Sequence, residues 1–333
     1  MIRKSGGSSH RKREIRGCCD LGSSSFRLLV VEGEFPEVGR LDDGRLRRVD
    51  VHDERRHIGW GDDLVGNGAI GPPALSRALG LLGELLEISR GAGCPAPAIV
   101  ATNALREARN ASAVAGAIER ETGMAVRVLS QREEASFGYT GAAFFADRRR
   151  ELCLVDIGGT STEVSWGRGT AMDDFAGLPV GTHRVHAALV PRGGGEADAP
   201  RIAELLESHD PALPAPGSGV YGLPAFSERP TILVTGGTAV SVATMRRMAR
   251  GLPAAFEETE RMTVEDLRLV RMALAGVLRS GKAGSLPFHP GRVRLLPAGI
   301  MLAESLLGAL GAREFIVTTR DLRWGVVLAG GGV

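Results

Sequence analysis

Asp20-Leu-Gly-Ser-Ser-Ser-Phe-Arg is the stretch that decides the fold, because the chain repeats its pattern as Asp156-Ile-Gly-Gly-Thr-Ser-Thr-Glu. Each copy lies between two apolar, β-rich segments, so each predicts a hairpin whose turn is made of glycine and hydroxylated residues. The second copy begins 136 residues after the first, which is about the length of one domain. Two copies of one hairpin at this distance predict a duplicated fold with a cleft between its halves.

The segments around the two hairpins alternate between strand and helix patterns, which is typical of α/β proteins. Leucines at helical spacing predict a helix over Pro72–Arg90, and another is predicted from about Ala104 to Arg120. The stretch that follows the first hairpin, up to Gly71, is polar and predicts an irregular connection, and residues 191–230 look rich in loops. Further strands are predicted over residues 98–102, 124–129, 151–155, 232–235, 292–296 and 314–318, and further helices from near residues 133 and 263 and over residues 298–310 and 322–328.

The composition is that of a globular protein, with 43% apolar and 24% charged residues among 333. This length suggests about two domains. No apolar run approaches the ~20 residues of a membrane span, and no signal-peptide pattern opens the chain. We therefore expect a cytoplasmic protein with no membrane partner. The 4 cysteines form no CxxC pair and the 7 histidines lack metal-ligand spacing, which argues against a zinc site or a disulfide framework.

Basic residues are concentrated at the N-terminus, although the net charge of the whole chain is only +2. An arm of this kind could attract a polyanion. A solvated, disordered leader over residues 1–16 is the simpler expectation, and we expect no specific nucleic-acid partner.

The two Asp-x-Gly turns carry the first candidate chemistry. Glycine allows a ligand to approach the backbone, and serine and threonine add hydroxyl donors, so two such turns can bind one anion. Asp20 and Asp156, just behind that anion, are placed to hold Mg²⁺ directly or through water. Ordinary hairpin turns also favour Asp and Gly, but two matching copies favour the binding role. The candidate phosphate-binding residues in these turns are Gly22, Ser23, Ser24, Ser25, Gly158, Gly159, Thr160 and Ser161.

Two strand–helix junctions carry charged candidates. Arg106 is expected in the first turn of a helix, where an arginine reinforces an anion site; a surface arginine paired with a neighbour is the alternative. Ser130-Gln-Arg-Glu-Glu-Ala places two acids in another first turn. Acids are favoured there for structural reasons alone, yet Glu134 is the candidate general base that deprotonates a water molecule, with Glu133 as second choice.

Two weaker candidates follow later in the chain. Thr235-Gly-Gly-Thr can bring a third turn to the same cleft through Gly236, Gly237 and Thr238. Arg292, expected on a strand, is a candidate second cation for a long anionic substrate, although a lone arginine more often forms a surface ion pair.

Taken together, these segments resemble the exopolyphosphatase/guanosine pentaphosphate phosphatase (Ppx/GppA) family of the actin-like ATPase superfamily. The resemblance implies an α/β fold of two actin-like (ASKHA, ribonuclease H-like) domains with an interdomain cleft. It assigns residues 17–131 to the first domain and 132–319 to the second, with residues 320–333 returning to the first as a helix, as in the short two-domain members. The matching motifs are Asp20-Leu-Gly-Ser-Ser-Ser-Phe-Arg-Leu, Ala101-Thr-Asn-Ala-Leu-Arg, Ser130-Gln-Arg-Glu-Glu-Ala, Asp156-Ile-Gly-Gly-Thr-Ser-Thr-Glu, Leu178-Pro-Val-Gly, Thr235-Gly-Gly-Thr and Leu322-Arg-Trp-Gly.

The same resemblance implies hydrolysis of a terminal phosphoanhydride bond with Mg²⁺ or another divalent cation. By motif, Glu134 matches the catalytic glutamate, Asp156 and Glu163 match the metal-associated carboxylates, and Arg106 matches the phosphate-binding arginine. Arg292 sits where the family places another arginine that faces phosphate.

Inorganic polyphosphate is the expected substrate, and the alternative is hydrolysis of guanosine pentaphosphate to guanosine tetraphosphate, the nucleotides of the stringent response. Polyphosphate or these guanosine phosphates are the expected partners. A kinase of the same superfamily and a catalytically weak regulator that binds polyphosphate or nucleotides also remain open, and a homodimer is a possible assembly.

Three residues depart from the usual family motifs. Ser24, Thr160 and Gln131 stand where Asn, Gly and Gly are common. A Cβ at position 160 narrows the approach to the backbone and disfavours a positive φ. We therefore expect the second turn to hold phosphate less tightly, and Thr160→Gly to raise kcat/KM.

Overall fold

The computed structural model describes residues 13–36, 46–147, 149–190, 199–208, 223, 226, 229–256 and 258–331. Most of the predicted leader and most of the loop-rich stretch at 191–230 lie outside these residues. Within them, no helix has the length and apolar character needed to cross a membrane.

The first domain is built on a five-stranded mixed sheet with strand order β3-β2-β1-β4-β5. β1 and β2 form the first predicted hairpin, in which Asp20 is paired with Arg27, and β3 extends it as an antiparallel edge strand. β4 and β5 add to the other side of β1 in parallel. The strands are β1 (Glu14–Leu21), β2 (Ser25–Glu34), β3 (Arg47–His57), β4 (Ala98–Ala101) and β5 (Val126–Val128).

Four helices accompany the first sheet, and their apolar side chains cover one of its faces. Leu82 and Leu85 of the second helix join Leu28 and Ile99 of the sheet in one buried cluster. The helices are α1 (Trp60–Asn67), α2 (Pro72–Gly91), α3 (Asn103–Glu107) and α4 (Ala111–Thr122).

The second domain repeats this strand order and adds one edge strand. Its sheet runs β10-β11-β9-β6-β7-β8, in which β6, β7 and β8 are antiparallel and β9 and β11 are parallel to β6. The strands are β6 (Glu151–Ile157), β7 (Thr162–Arg168), β8 (Ala171–Leu178), β9 (Thr231–Thr235), β10 (Thr259–Thr263) and β11 (Glu314–Thr318). The prediction of a duplicated α/β fold is therefore confirmed.

Two helices lie between the sheets. The C-terminal helix α11 (Leu322–Leu328) packs against β1 and β2 of the first sheet and against α5 (Gln131–Ala143), which also contacts β6 of the second sheet. A Cβ at Gly141 of α5 or at Gly325 of α11 would overlap the backbone of the other helix. The remaining helices are α6 (Thr182–Leu189), α7 (Ala199–Ser208), α8 (Gly237–Ala249), α9 (Val264–Arg279) and α10 (Pro290–Ala309).

Several sequence predictions of elements are wrong. The polar connection before Gly71 contains β3 and α1, and the helix predicted from Ala104 is divided into α3 and α4. The strand predicted over residues 292–296 is the start of α10, because Pro290 occupies the first helical turn and the apolar run that follows is buried in a helix. The leader was predicted to extend to residue 16, but Glu14 already pairs with β2.

Candidate active site

The two glycine-containing turns face each other across the cleft between the domains. Ser23 Oγ in the β1–β2 turn lies 2.8 Å from Thr160 Oγ1 in the β6–β7 turn. A Cβ built on Gly159 would lie 2.6 Å from Ser24 Oγ, so this approach requires glycine. Both turns line one cavity that is open to solvent. The sequence-predicted residues that line it are Asp20, Gly22, Ser23, Ser24, Ser25, Glu134, Asp156, Gly158, Gly159, Ser161, Glu163, Gly236, Gly237 and Arg292.

Glu134 lies in the first turn of α5, and its side chain is buried at the cavity. Ser130 begins the helix with a capping box, which fixes the position of this turn. Burial and the charge of Glu163 raise the pKa of the Glu134 carboxyl well above its usual value, while Arg106 opposes the shift. A buried carboxyl with a raised pKa is suited to accept a proton near neutral pH.

Arg106 is not among the residues that line the cavity. It lies at the end of the single-turn helix α3, where Nη1 donates to Glu134 Oε2 at 2.8 Å and Nη2 donates to Asn103 Oδ1 at 2.9 Å. Asn103 in turn donates through Nδ2 to Thr160 Oγ1 at 2.9 Å. The structure therefore places Arg106 beside Glu134, where it can orient this carboxylate, and its contact with phosphate stays a prediction.

Glu133 also points away from the cavity. Its carboxylate accepts hydrogen bonds from Arg127 and from the backbone and hydroxyl of Ser130. The Ser130 hydrogen bonds, aided by Arg127, lower the pKa of Glu133 to about 2. This carboxylate caps a helix and is a poor base. The structure therefore does not favour Glu133 as the second choice of general base.

Thr160 and Thr238 do not line the cavity either. Thr160 is fully buried, with its hydroxyl between Ser23 and Asn103. Thr238 packs beneath α10, where a Cβ on Gly299 would overlap it. In the third turn, Gly236 adopts a φ of 99° and faces Ile157 O, so a side chain is excluded there.

Besides Glu134, three carboxyl groups line the cavity, those of Asp20, Asp156 and Glu163. These are the residues expected to hold a cation, but they are not gathered at one point. Asp20 Oδ1 is buried and has no hydrogen-bond partner among the described residues, because Arg27 donates only to Oδ2. Burial raises the pKa of Asp156 to about 7; Arg27 opposes this shift and nearby carboxylates, Glu163 first, add to it. In the part of the chain that the structure describes, no three His, Cys, Asp or Glu side chains form a metal-binding group. Carboxylate oxygens in ones and twos suit Mg²⁺, which keeps several waters.

Besides Arg27, which is paired with two carboxylates, two arginines line the cavity. Arg292 lies against Gly237, where a Cβ would overlap its guanidinium, and Arg55 projects from β3. Burial and the charge of Arg27 lower the pKa of Arg292 to about 10. The Arg55 side chain is exposed to solvent, but the protein around it removes part of its hydration. This desolvation, with the charges of Arg27 and Arg292, lowers the pKa of Arg55 to about 9. Among the described residues neither arginine forms an ion pair, so both can receive an anion.

Sequence reasoning gave no role to Arg55, Arg27 or Asn103. Arg27 lies in a quoted motif, where it pairs with Asp20 at 2.5 Å and with Asp321, the N-cap residue of α11, at 2.6 Å. Its position opposite Asp20 in the hairpin register was a signal that could have identified it. Arg55 had no such signal, because the strand that carries it was not predicted.

Comparison with known proteins agrees with this architecture. A model of the Ppx/GppA phosphatase family matches residues 38–330. Exopolyphosphatase 2 of Mycobacterium tuberculosis is 25% identical over 93% of this chain and 96% of its own length. Exopolyphosphatase 1 of Mycobacterium leprae is 26% identical over 94% of this chain and 88% of its own length.

Solved structures show the same fold. The Ppx/GppA family member of Aquifex aeolicus superposes with a TM-score of 0.69 at 21% identity, covering 96% of this chain and 98% of that one. An exopolyphosphatase from Cytophaga hutchinsonii superposes with a TM-score of 0.75 at 20% identity, covering 95% and 98%. The two actin-like domains, the paired turns and the match over most of the sequence together place this chain in the Ppx/GppA phosphatase family.

Proposed function

We propose that this chain hydrolyses the terminal phosphoanhydride bond of inorganic polyphosphate and releases phosphate. The observation that carries the proposal is the cavity itself, where buried Glu134 shares one space with two glycine-containing turns and with two guanidinium groups that form no ion pair with any described residue. The relatives named exopolyphosphatase support the choice of substrate.

Glu134 would act as the general base. Arg106 occupies its Oε2, which leaves Oε1 to accept a hydrogen bond from water. As the water oxygen attacks the terminal phosphorus, Glu134 takes its proton, and the bond from that phosphorus to the bridging oxygen breaks. The shortened polyphosphate leaves with the electron pair of that bond.

The turns and arginines would hold the charge. Backbone N–H groups and hydroxyls of the Ser23 and Gly159 turns donate to the terminal phosphoryl oxygens, which gain most from donors already in place. Arg55 and Arg292 neutralise the phosphates that follow. Asp156, together with Asp20 or Glu163, would hold a divalent cation, which when bound supplies further positive charge to the phosphate oxygens.

Glu134→Gln tests the proposal against Glu133→Gln as a matched control, because the two glutamates are adjacent and only Glu134 lines the cavity. We expect Glu134→Gln to lower kcat for phosphate release about 100-fold or more while polyphosphate still binds. Glu133→Gln should weaken the helix cap and leave turnover within a few-fold of wild type. Equal losses in both variants would contradict the assignment of the base.

The substrate is decided by measuring phosphate release from long-chain polyphosphate, guanosine pentaphosphate and ATP, each with and without Mg²⁺. Release from polyphosphate above the other two supports the proposal. Preference for guanosine pentaphosphate would replace the substrate but keep the chemistry. Binding of polyphosphate with no release by the wild-type protein in Mg²⁺ would overturn the enzymatic function.

A further inference from the structure

A second chain of hydrogen bonds crosses the cleft beside the cavity. Ser24 Oγ lies 3.0 Å from His183 Nε2, and His183 Nδ1 lies 2.8 Å from Asp62 Oδ1. Arg294 forms an ion pair with the other oxygen of Asp62. These four residues come from the β1–β2 turn, α6, α1 and α10, so the chain joins both domains at the edge of the anion-binding cavity.

The His183 ring is held rigidly. Its side chain is fully buried, at 0% exposure. The ring lies against Gly61, where a Cβ would overlap it, and a Cβ on Gly159 would lie 3.0 Å from its Cδ2. The ring therefore keeps Nε2 on Ser24 and Nδ1 on Asp62.

Asp62 fixes which ring nitrogen carries a proton. Burial alone would raise the pKa of its carboxyl, but the hydrogen bond from His183 and the charges of His183 and Arg294 outweigh burial and lower the pKa to about 2. Asp62 is therefore a carboxylate that only accepts hydrogen bonds, so His183 Nδ1 must donate to it. In the neutral ring, Nε2 then has a lone pair and accepts the single hydroxyl proton of Ser24.

This arrangement has a consequence for an anion. While His183 is neutral, Ser24 presents only lone pairs to the cavity, and phosphate oxygens have no hydrogen to accept from it. When Nε2 is protonated, the ring donates to Ser24 Oγ and the Ser24 hydroxyl is free to donate to the anion. The imidazolium also adds a positive charge one hydrogen bond away from the anion.

We propose that binding of a phosphate-type anion in this cavity is coupled to uptake of one proton by His183, with Ser24 reversing its hydrogen bond to become the donor. His183 acts as a positioning residue through Ser24 and does not itself touch the substrate. The inference rests on the anion-binding cavity of the proposed function.

Other charged groups surround His183 without replacing it. Burial and the charges of His289, Arg292 and His183 lower the pKa of His57 to about 4, so His57 is neutral over the pH range of interest. Glu107 of α3 pairs with Arg184 of α6, so their charges offset each other. The titratable and charged groups on the neighbouring elements include Asp62 and Asp63 of α1, His57 of β3, Arg106 and Glu107 of α3, Arg184 and His186 of α6, and His289, Arg292, Arg294 and Glu304 at α10. The carboxyl groups of Asp20, Glu134, Asp156 and Glu163 line the cavity beside them.

The order Ser–His–Asp is also that of an activated serine nucleophile, and this alternative has the opposite pH dependence. In that reaction Ser24 Oγ would bond to the terminal phosphorus, the bridging P–O bond would break, and the hydroxyl proton would pass to His183 Nε2. A nucleophile therefore requires neutral His183, and its rate would rise with pH, whereas the proposed donor requires the protonated ring.

Calorimetric titration with sulfate separates these cases without using enzymatic activity, because sulfate does not change its charge between about pH 5.5 and 8.5. Titrations of the metal-free, full-length protein in buffers of different ionisation enthalpy report the protons taken up. We expect sulfate binding to be accompanied by net proton uptake, with Kd falling as the pH falls, by about tenfold per pH unit for each proton taken up. Carboxyl groups that line the same cavity, such as Asp156 with its pKa raised to about 7, also take up protons when an anion binds beside them. His183→Gln should therefore bind sulfate with less proton uptake than wild type at the same pH, and His57→Gln, which removes a nearby imidazole, should keep the wild-type uptake.

Sulfate binding by wild type without proton uptake would overturn the inference and leave the anion site intact. Uptake in His183→Gln that equals the wild-type uptake would also overturn it. Because the wild-type measurement needs no substitution, the test survives a variant that fails to fold. Phosphoserine at position 24 after acid quench of turnover with polyphosphate, together with kcat/KM that rises with pH, would establish the nucleophile instead. Absence of sulfate binding at every pH would remove the anion site on which both proposals rest.

Discussion

Replacing Thr160 by valine tests the bridge between the two turns, because valine keeps the volume and β-branch of threonine but lacks its hydroxyl. That hydroxyl is fully buried. It accepts from Asn103 Nδ2 at 2.9 Å and lies 2.8 Å from Ser23 Oγ. The substitution therefore removes two hydrogen bonds across the cleft and creates no cavity.

The expected cost in stability follows from the partners that remain. Asn103 and Ser23 are themselves buried, at 4% and 5% exposure. A buried polar group left without a partner costs about 1–3 kcal/mol. Asn103 and Ser23 together would cost about 2–6 kcal/mol if both lost their partner. The Ser23 hydroxyl can rotate to another acceptor, which lowers the upper end of this range. We therefore expect Thr160→Val to lower the free energy of unfolding by about 2–4 kcal/mol.

Activity should fall as well, because the bridge continues to the general base. Asn103 Oδ1 accepts from Arg106, and Arg106 donates to Glu134. Without the Thr160 hydroxyl, the Asn103 amide can rotate, and the hydrogen bonds through which Asn103 and Arg106 position Glu134 are weakened. A misplacement of about 1 Å can cost roughly 100-fold in rate, so we expect kcat to fall about 10- to 100-fold.

Denaturant unfolding and phosphate release from polyphosphate measure the two effects, with Thr160→Ser as the control that keeps the hydroxyl. Serine should remain close to wild type in both assays. Thr160→Gly distinguishes the bridge from the expectation that the Cβ at position 160 crowds the phosphate. Loss of the bridge predicts a lower kcat/KM, whereas relief of crowding predicts a higher kcat/KM. A more active glycine variant, or a valine variant as stable and active as wild type, would refute the bridge.

Two further predictions concern buried charge. In the metal-free protein the pKa of Asp156 is raised to about 7, so the folded state binds this proton more tightly than the unfolded state does. The free energy of unfolding should therefore fall as the pH rises from about 4 to about 7. Asp156→Asn should flatten that part of the pH profile measured by denaturant unfolding. Asp321→Asn should lower the free energy of unfolding by about 3 kcal/mol, because it leaves Arg27 and Arg323 buried without their shared carboxylate, whereas Glu265→Gln at an exposed pair should change stability little.

The hairpins could be predicted because their signals are local. Alternating apolar residues on either side of a Gly/Ser turn specify two paired strands whatever surrounds them. β3 gave no such signal, because an edge strand can carry charged residues such as Asp53, Glu54 and Arg55 along its length. The start of α10 failed for a different reason, since a short apolar run is compatible with a buried helix and a buried strand alike.

Residues of the candidate active site could be predicted where a local motif indicates the chemistry. They could not be predicted where their contacts depend on the tertiary fold. Glu134 and the glycine turns follow from spacing and turn chemistry. The bond that turns Arg106 towards Glu134 depends on how α3 and α5 approach each other, and no local pattern encodes that approach. His183 and Asp62 are 121 residues apart, and the fold alone brings them together.

The three departures from the family motifs share a physical feature that the sequence did not reveal. Each places a polar side chain in a hydrogen bond with another element at the cavity: Ser24 with His183, Thr160 with Ser23 and Asn103, and Gln131 with Glu163 at 3.0 Å. Where glycine is common in the family, this chain thus has a side chain that ties two elements together.

Such ties change how the site can work. Opening the cleft would break the contacts of Ser23 with Thr160 and of Ser24 with His183, and the buried groups on both sides would lose their partners. The turns are therefore held facing each other before an anion arrives. A preorganised site spends little reorganisation energy when charge develops on the transferred phosphoryl group. We therefore propose that the threonine at position 160, where glycine is common, fixes the geometry of the cavity, and a lower kcat/KM of Thr160→Gly would support this role over a weakened hold on phosphate.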